Sequence, residues 1–588
     1  MIQTGMFRRV ACGMAALTFA LALWGAAMKT AMAQENRVPP HIRGFWVDGF
    51  NEGIKTPEQV DELIRRVQEA NGNAIFAQVR KRGDAYYWSR YEPRARDFDT
   101  LSYDPLAYLI EKAHAANPRI QVHAWINMGA VGPPGNSEHI LAKHPDWRSL
   151  SDTGEGDDKE AVKIDPGVPG AADWTFRVYL DVLRQYDVDG IHFDFVRYGG
   201  AKWGYAPESV ARFNARYDRT GKPAFDDPLW QGWRREQVSN LVRKVYVHAA
   251  AVKPSVIVSA ATISWGDGPR TTEDWLQSSA YREVFQDWRD WLQTGILDLA
   301  CPMTYFRKTP HESFQRNWAN WVKNHQYNRA ATLATAAYLN DLESTLELAR
   351  INLSPTPDGE TPAGILFYSY GKVSTVPEER DAFFQRLRTV FPEPVAFPEL
   401  PWKTNPTTGH IKGFVRFGSE LAAADGATVV LTPLGAPRST TRLTDGTGFF
   451  AFANLPPGEY DVYVEFQGER TRTLRILVAA GVVHDAHFRL SDGDLPLPHP
   501  VRGISDLRDG QPVLLEDRVV TVGSSRLGTG GCYIADGFGE FPVAVRWEKP
   551  LLLPLVYGDR VTLTGTVRFA NGRPYIQADA VVFSGMAP

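Results

Sequence analysis

The side chains best placed to do chemistry lie in Val188–Tyr198 (VDGIHFDFVRY). Apolar Ile191, Phe193 and Phe195 alternate there with His192, Asp194 and Val196, the period of a buried strand that turns polar at its carboxyl end. An ionised carboxylate in such a place costs several kcal/mol unless it is paired or functional. Asp194 is therefore the first candidate for acid, base or nucleophile work; the competing reading is a buried ion pair with Arg197. Hydrolysis of a glycosidic bond takes two carboxyl groups flanking that bond. Asp84, following Arg80-Lys81-Arg82-Gly83, and Asp287, in Gln286-Asp287-Trp288, lead as partners for Asp194. Against them stand a turn role for Asp84 and a helix ion pair with Arg282 or Arg289 for Asp287. His123 and His192, on neighbouring expected strands, are grouped with the substrate contacts. With Asp194 they also raise a metal site, but no tight ligand spacing supports one, so neither metal nor cofactor is expected.

Eight apolar runs must position these groups: Gly44–Phe50, Ala74–Arg80, Gln121–Asn127, Gly190–Tyr198, Val256–Thr262, Leu297–Tyr305, Ala331–Tyr338 and Gly364–Tyr370. Helical spacing separates them, most clearly over Asp61–Asn71, Asp104–Ala116 and Gln231–Val252. The alternation predicts an α/β chain with a (β/α)8 TIM barrel over 34–395, whose active site lies at the carboxyl ends of the strands. A doubly wound sheet is disfavoured, since no Gly-rich phosphate loop follows an early strand. The insert Gly129–Pro169 is too long for a simple turn and is expected to shape the cleft. A proline-rich linker (396–408) then leads to two small all-β domains. The first, over 409–490, has turns at Thr444–Gly448 and Leu455–Gly458 that resemble the carboxypeptidase-regulatory-like β-sandwich. The second, over 501–588, resembles an OB-fold barrel around Tyr557–Gly565.

At 588 residues with a net charge of −4, the chain offers no electrostatic case for nucleic acid or an anionic membrane. Its 17 Trp and 22 Tyr supply flat apolar faces with polar edges, which suit sugar rings as well as cores. Arg8-Arg9, an apolar run from Ala15 to Ala27 and the small-x-small Ala31-Met32-Ala33 read as a secretory signal, cleaved after Ala33. A periplasmic or secreted location follows. The two cysteines beyond it, Cys301 and Cys532, fall in different domains and imply no disulfide framework.

An ordered series of motifs resembles the bacterial glycosyl hydrolase-like ten family. It comprises Arg43–Val47 (RGFWV), Asn73–Pro93 (NAIFAQVRKRGDAYYWSRYEP), Tyr103–Leu106 (YDPL), His123–Asn127 (HAWIN), Ile164–Pro169 (IDPGVP) and Tyr186–Tyr198. Trp233-Arg234-Arg235, Lys253-Pro254 and Cys301–Tyr305 (CPMTY) follow in order. The resemblance implies a TIM barrel and a glycosidase acting on peptidoglycan strands stripped of their stem peptides, with Asp194 as a catalytic carboxylate. Two positions depart from the family pattern: Phe195 stands where many members carry a second Asp, and Asn127–Ala130 replaces Asn-Pro-Tyr-Arg. The expected site then has Trp46, Trp125, Tyr198 and Tyr305 facing sugar rings, with Tyr368 also among the substrate contacts. Arg80, Asn127 and Arg197 bind hydroxyl, acetamido or lactyl groups. The partner is an amino-sugar polysaccharide, and the β domains are expected to dock to wall or protein. The rival expectations are a non-catalytic glycan-binding barrel and a scaffold that recruits another wall enzyme.

Overall fold

Strands covered on both faces read as unbroken apolar runs, and Ala74–Arg80 is buried at every position. We describe a computed structural model covering residues 39–98, 102–132, 139–156, 162–418, 420–490, 507–527, 530–535 and 542–586. The expected signal segment lies outside these residues. Strands β1 (Ile42–Val47), β2 (Ala74–Arg80), β3 (Gln121–Asn127), β4 (Gly190–Asp194), β5 (Ile257–Thr262), β6 (Leu299–Pro302), β7 (Ala330–Ala336) and β8 (Gly364–Tyr368) close into one barrel. Every neighbouring pair is parallel, with β1 bonded to both β2 and β8. This is the TIM barrel that the alternation of elements predicts. Strands β2 and β3 have the expected bounds, whereas β4 is four residues shorter than expected. It stops at Asp194 because Phe195 takes a left-handed φ of 52°, which no strand continues.

Inside the barrel, Trp46, Phe76, Trp125, Leu299, Ala334 and Leu366 form a packed interior. The proline-rich segment expected as a linker does more than link. Phe397, Leu400 and Trp402 pack against this interior, Trp402 Nε1 donates to Asp298 (2.8 Å), and Lys403 pairs with Asp298 at 2.8 Å.

Beyond it, Gly409–Phe417 and Phe449–Leu455 belong to one sheet, and Thr428–Pro433 and Gly458–Phe466 to another. Their shared core includes Ile411, Val429, Phe450 and Val462. The last five strands, Pro512–Val522, Gly531–Ile534, Val543–Arg546, Asp559–Ala570 and Arg573–Met586, close a second barrel. Its third and fifth strands pair in parallel, while its other pairs are antiparallel.

Residues Ile42–Pro588 form one compact unit. Buried charge ties the β modules to the outside of the TIM barrel. On the helix Pro169–Gln185, Arg177 and Arg184 lie 3.6 and 3.3 Å from the fully buried Asp559 carboxylate. On the helix Pro228–Val252, Lys244 donates to Thr447 Oγ1 (3.0 Å) and pairs with Asp173 at 3.0 Å. Arg212 forks onto Asp425 at 2.7 and 3.0 Å.

Candidate active site

β4 delivers Asp194 as its last residue. Phe195 then reverses the chain, and the Arg197 N–H donates to the Phe195 carbonyl (2.8 Å). This tight turn returns the Arg197 guanidinium to 3.4 Å from Asp194 Oδ1. The same oxygen accepts from the Phe195 N–H (2.7 Å), and Oδ2 accepts from Trp125 Nε1 (3.1 Å). Burial pushes the Asp194 carboxyl above the usual carboxylate range, while Arg197 and the two N–H donors pull it back down. Asp194 is thus a desolvated acid with fixed orientation.

The carboxylate lines a cavity of about 430 Å³ at the carboxyl ends of the strands. Six aromatic rings line it: Trp46, Phe50, Trp125, Phe195, Tyr305 and Tyr368, the last two stacked with centroids 5.2 Å apart and planes at 16°. Gln78 and Asn127 form a polar wall. Gln78 Nε2 donates to Asn127 Oδ1 (3.2 Å), which also accepts from Trp125 Nε1 (3.1 Å), and Asn127 Nδ2 donates to the Lys81 carbonyl (2.7 Å). Lys81, Arg82, Lys163 and Arg197 bring four cations to the lining, and Asp194 is the one carboxylate among its described residues. Burial and the neighbouring Arg197 push the Lys163 ammonium down to about 8. Lys81 pairs with Asp97 at 3.0 Å, so its charge is partly offset from outside the cavity. Among the described residues, no group of three or more His, Cys, Asp or Glu is arranged to hold a metal ion.

Several expected site residues serve the frame instead. Asp84 Oδ1 accepts from the backbone N–H groups of Lys81 (3.1 Å) and Arg82 (2.8 Å), which makes it a turn residue. Asp287 caps the helix Trp288–Gln293, and burial followed by Asp290 raises its carboxyl. Neither is among the residues that line the cavity with Asp194. Arg80 is fully buried, paired with Glu92 at 2.5 Å and bonded to the Asn127 carbonyl. It braces the wall from behind. Tyr198, beyond the break at Phe195, is buried against Phe285 and donates to Asp165 (3.3 Å).

His192 is buried behind Trp46 and is not among the lining residues. Its Nε2 accepts from Trp46 Nε1 (3.0 Å), which leaves the Nδ1 proton for Ser259 Oγ (2.9 Å), and burial keeps the ring neutral. His123 stacks on Phe76 and Phe397, its ring pushed down to about 4 by burial.

Sequence reasoning missed Phe50, Gln78, Lys81, Arg82 and Lys163 in the lining. Phe50, Lys81 and Arg82 lie just past the ends of β1 and β2, so the rule that selected Asp194 also points to them. Lys163 had no such signal. It reaches the mouth because Val162–Lys163 pairs antiparallel with Ala130–Val131 inside the long insert.

A (β/α)8 barrel thus holds, at the top of β4 and ringed by aromatics, the one acid among the described residues of its cavity lining. Residues 41–345, just over half of the chain, match the model of the family described as glycosyl hydrolase-like 10, and the chain belongs to that family. Residues 410–491 match the carboxypeptidase regulatory-like domain. Among curated proteins, the chain is similar to glycosyl hydrolase YngK of Bacillus subtilis (strain 168), 27% identical over 325 residues. That match covers 50% of this chain and 60% of YngK. It is also similar to glycosyl hydrolase DigH of Escherichia coli (strain K12), 27% identical over 297 residues, covering 46% of this chain and 63% of DigH. The chain thus spans less than two thirds of either relative. Among solved structures, the PgaB (BpsB) glycoside hydrolase domain from Bordetella bronchiseptica aligns with a TM-score of 0.44 at 15% identity. That alignment covers 61% of this chain and all of the domain.

Proposed function

We propose that this chain is an exported glycoside hydrolase that cleaves an anionic amino-sugar glycan of the cell wall, the peptidoglycan strand stripped of its stem peptides. The observation that carries the reading is the cavity itself: a desolvated Asp194 among aromatic rings, with four cations and no second carboxylate among the described lining residues. Aromatic faces suit sugar rings. Cations in a cavity select a substrate with negative charge, and each lactyl group freed of its peptide ends in a carboxylate. Asp194 serves as one catalytic carboxylate, with Trp125 Nε1 and the Phe195 N–H holding it toward the substrate. Asn127 and Arg197 bind the polar substituents, and Trp46, Trp125, Tyr305 and Tyr368 hold the rings.

One observation favours a second reading, a glycan-binding barrel without catalysis: the two expected partners of Asp194 cap backbone elsewhere. Mass spectrometry of digests separates the two. Intact sacculi and amidase-stripped strands are incubated with the protein and with Asp194→Asn. New saccharide fragments from stripped strands, lost in the variant, support hydrolysis and identify the bond cut. Retention of strands by both proteins with no fragment from either leaves binding alone.

A further inference from the structure

We propose that the mouth of the barrel carries an extended glycan strand across its whole width, with Phe50 and Trp265 as the outer stacking faces, so that strands are cut internally. The inference rests on the glycan reading above and adds the binding mode to it. Phe50 follows β1 and Trp265 follows β5, and these strands stand four apart in the eight-strand ring, on opposite sides of the mouth. Both rings are open to solvent, 53% exposed for Phe50 and 46% for Trp265.

Neither ring owes its exposure to a loose loop. The Asp48 carboxylate takes the backbone N–H groups of Phe50 (2.9 Å) and Asn51 (3.0 Å), and the Lys81 ammonium and Arg82 guanidinium lie 5.3 and 5.1 Å from the Phe50 ring. On the far side, Trp318 Nε1 donates to the Gly266 carbonyl (3.0 Å), Asn317 Nδ2 bonds Asp267 (2.6 Å), and Gly268 lies so close to the Trp318 backbone that a Cβ there would stand 2.5 Å from its nitrogen. Large apolar faces exposed to water on anchored loops add nothing to a core. They are what a ligand with flat apolar faces uses. Phe50 lines the cavity edge beside Lys81 and Arg82, whereas Trp265 lies outside the lining, so a ligand touching both must be longer than the cavity.

The test uses the full chain in the Asp194→Asn background, where binding is read without turnover, on stripped strands of graded length. Trp265→Ala should weaken binding of long strands roughly tenfold and leave the shortest fragments that fill the cavity unaffected, whereas Phe50→Ala, at the cavity edge, should weaken binding at every length. The protein with Asp194 intact should shorten long strands early, before terminal units accumulate. Equal loss at every length or no loss at all for Trp265→Ala, no loss for Phe50→Ala, or release of terminal units first would overturn the track. If Asp194→Asn binds strands with this length dependence but the parent cuts none, the track stands and the hydrolase reading falls. If no stripped strand of any length binds, the glycan reading fails and takes the track with it.

Discussion

Lys163 provides the sharpest test of an anion-selecting cavity. Its ammonium is pushed down to about 8 by burial and by Arg197, so it titrates in an accessible range. The sign is fixed by the charge. Below that pH the ammonium is charged and attracts a carboxylate; above it the amine is neutral and the attraction is gone. Affinity for stripped strands is therefore highest below about pH 8 and falls as pH rises through it, with the midpoint moved upward in the complex by the bound carboxylate. A hydrogen bond to a charged group contributes ~1.5–3 kcal/mol, which corresponds to roughly a ten- to hundredfold change in Kd. Lys163→Met keeps the stem and removes the charge, so it should show the weaker affinity at every pH and no alkaline limb. Lys163→Arg should extend the tight-binding plateau upward. Titration calorimetry in the Asp194→Asn background reads both. An alkaline limb that persists unchanged in Lys163→Met would refute the assignment, and so would affinity independent of pH in the parent.

Three further outcomes follow from residues placed outside the cavity. Asp84→Asn and Asp287→Asn keep an oxygen for their backbone N–H groups and should leave fragment yield from stripped strands within a few-fold of the parent. Asp287→Ala should lower stability by about 0.5–2 kcal/mol in denaturant unfolding, the usual cost of a lost helix cap. Asp559→Ala leaves Arg177 and Arg184 buried against an apolar stub and should cost about 3–5 kcal/mol, read as a lower denaturant midpoint or an early separate transition of the β modules.

The barrel was legible because its signal is redundant. Eight apolar runs alternating with helical spacing have few other solutions, and an error of a few residues at one strand end leaves the ring intact. The end of β4 was not legible, because Phe195 continues the apolar alternation while the backbone breaks there into a left-handed turn. Nor was the role of Phe397–Trp402. Proline-rich composition signals the lack of regular structure, and a segment without it still packs wherever its Phe, Leu and Trp find an apolar surface, here the barrel interior.

The site divides along the same physical line. Asp194, Trp46, Trp125, Asn127, Tyr305 and Tyr368 sit at or just past strand ends, where period-2 alternation fixes the facing side, and all of them reach the cavity. Arg80 also ends a strand, yet Glu92, twelve residues on, returns to pair with it behind the wall. No local pattern announces that pairing. The cationic lining of the cavity was equally hidden, since the chain as a whole carries a net charge of −4. Compensating acids stand elsewhere: Asp97 outside the lining on Lys81, and Asp559 and Asp173 against the helices. A nearly neutral chain therefore presents a cationic cavity, and the net charge of the whole chain does not exclude a site that binds carboxylates. Removing the charge of Lys163 alone, which barely alters the net charge, is what should change the ligand this barrel holds.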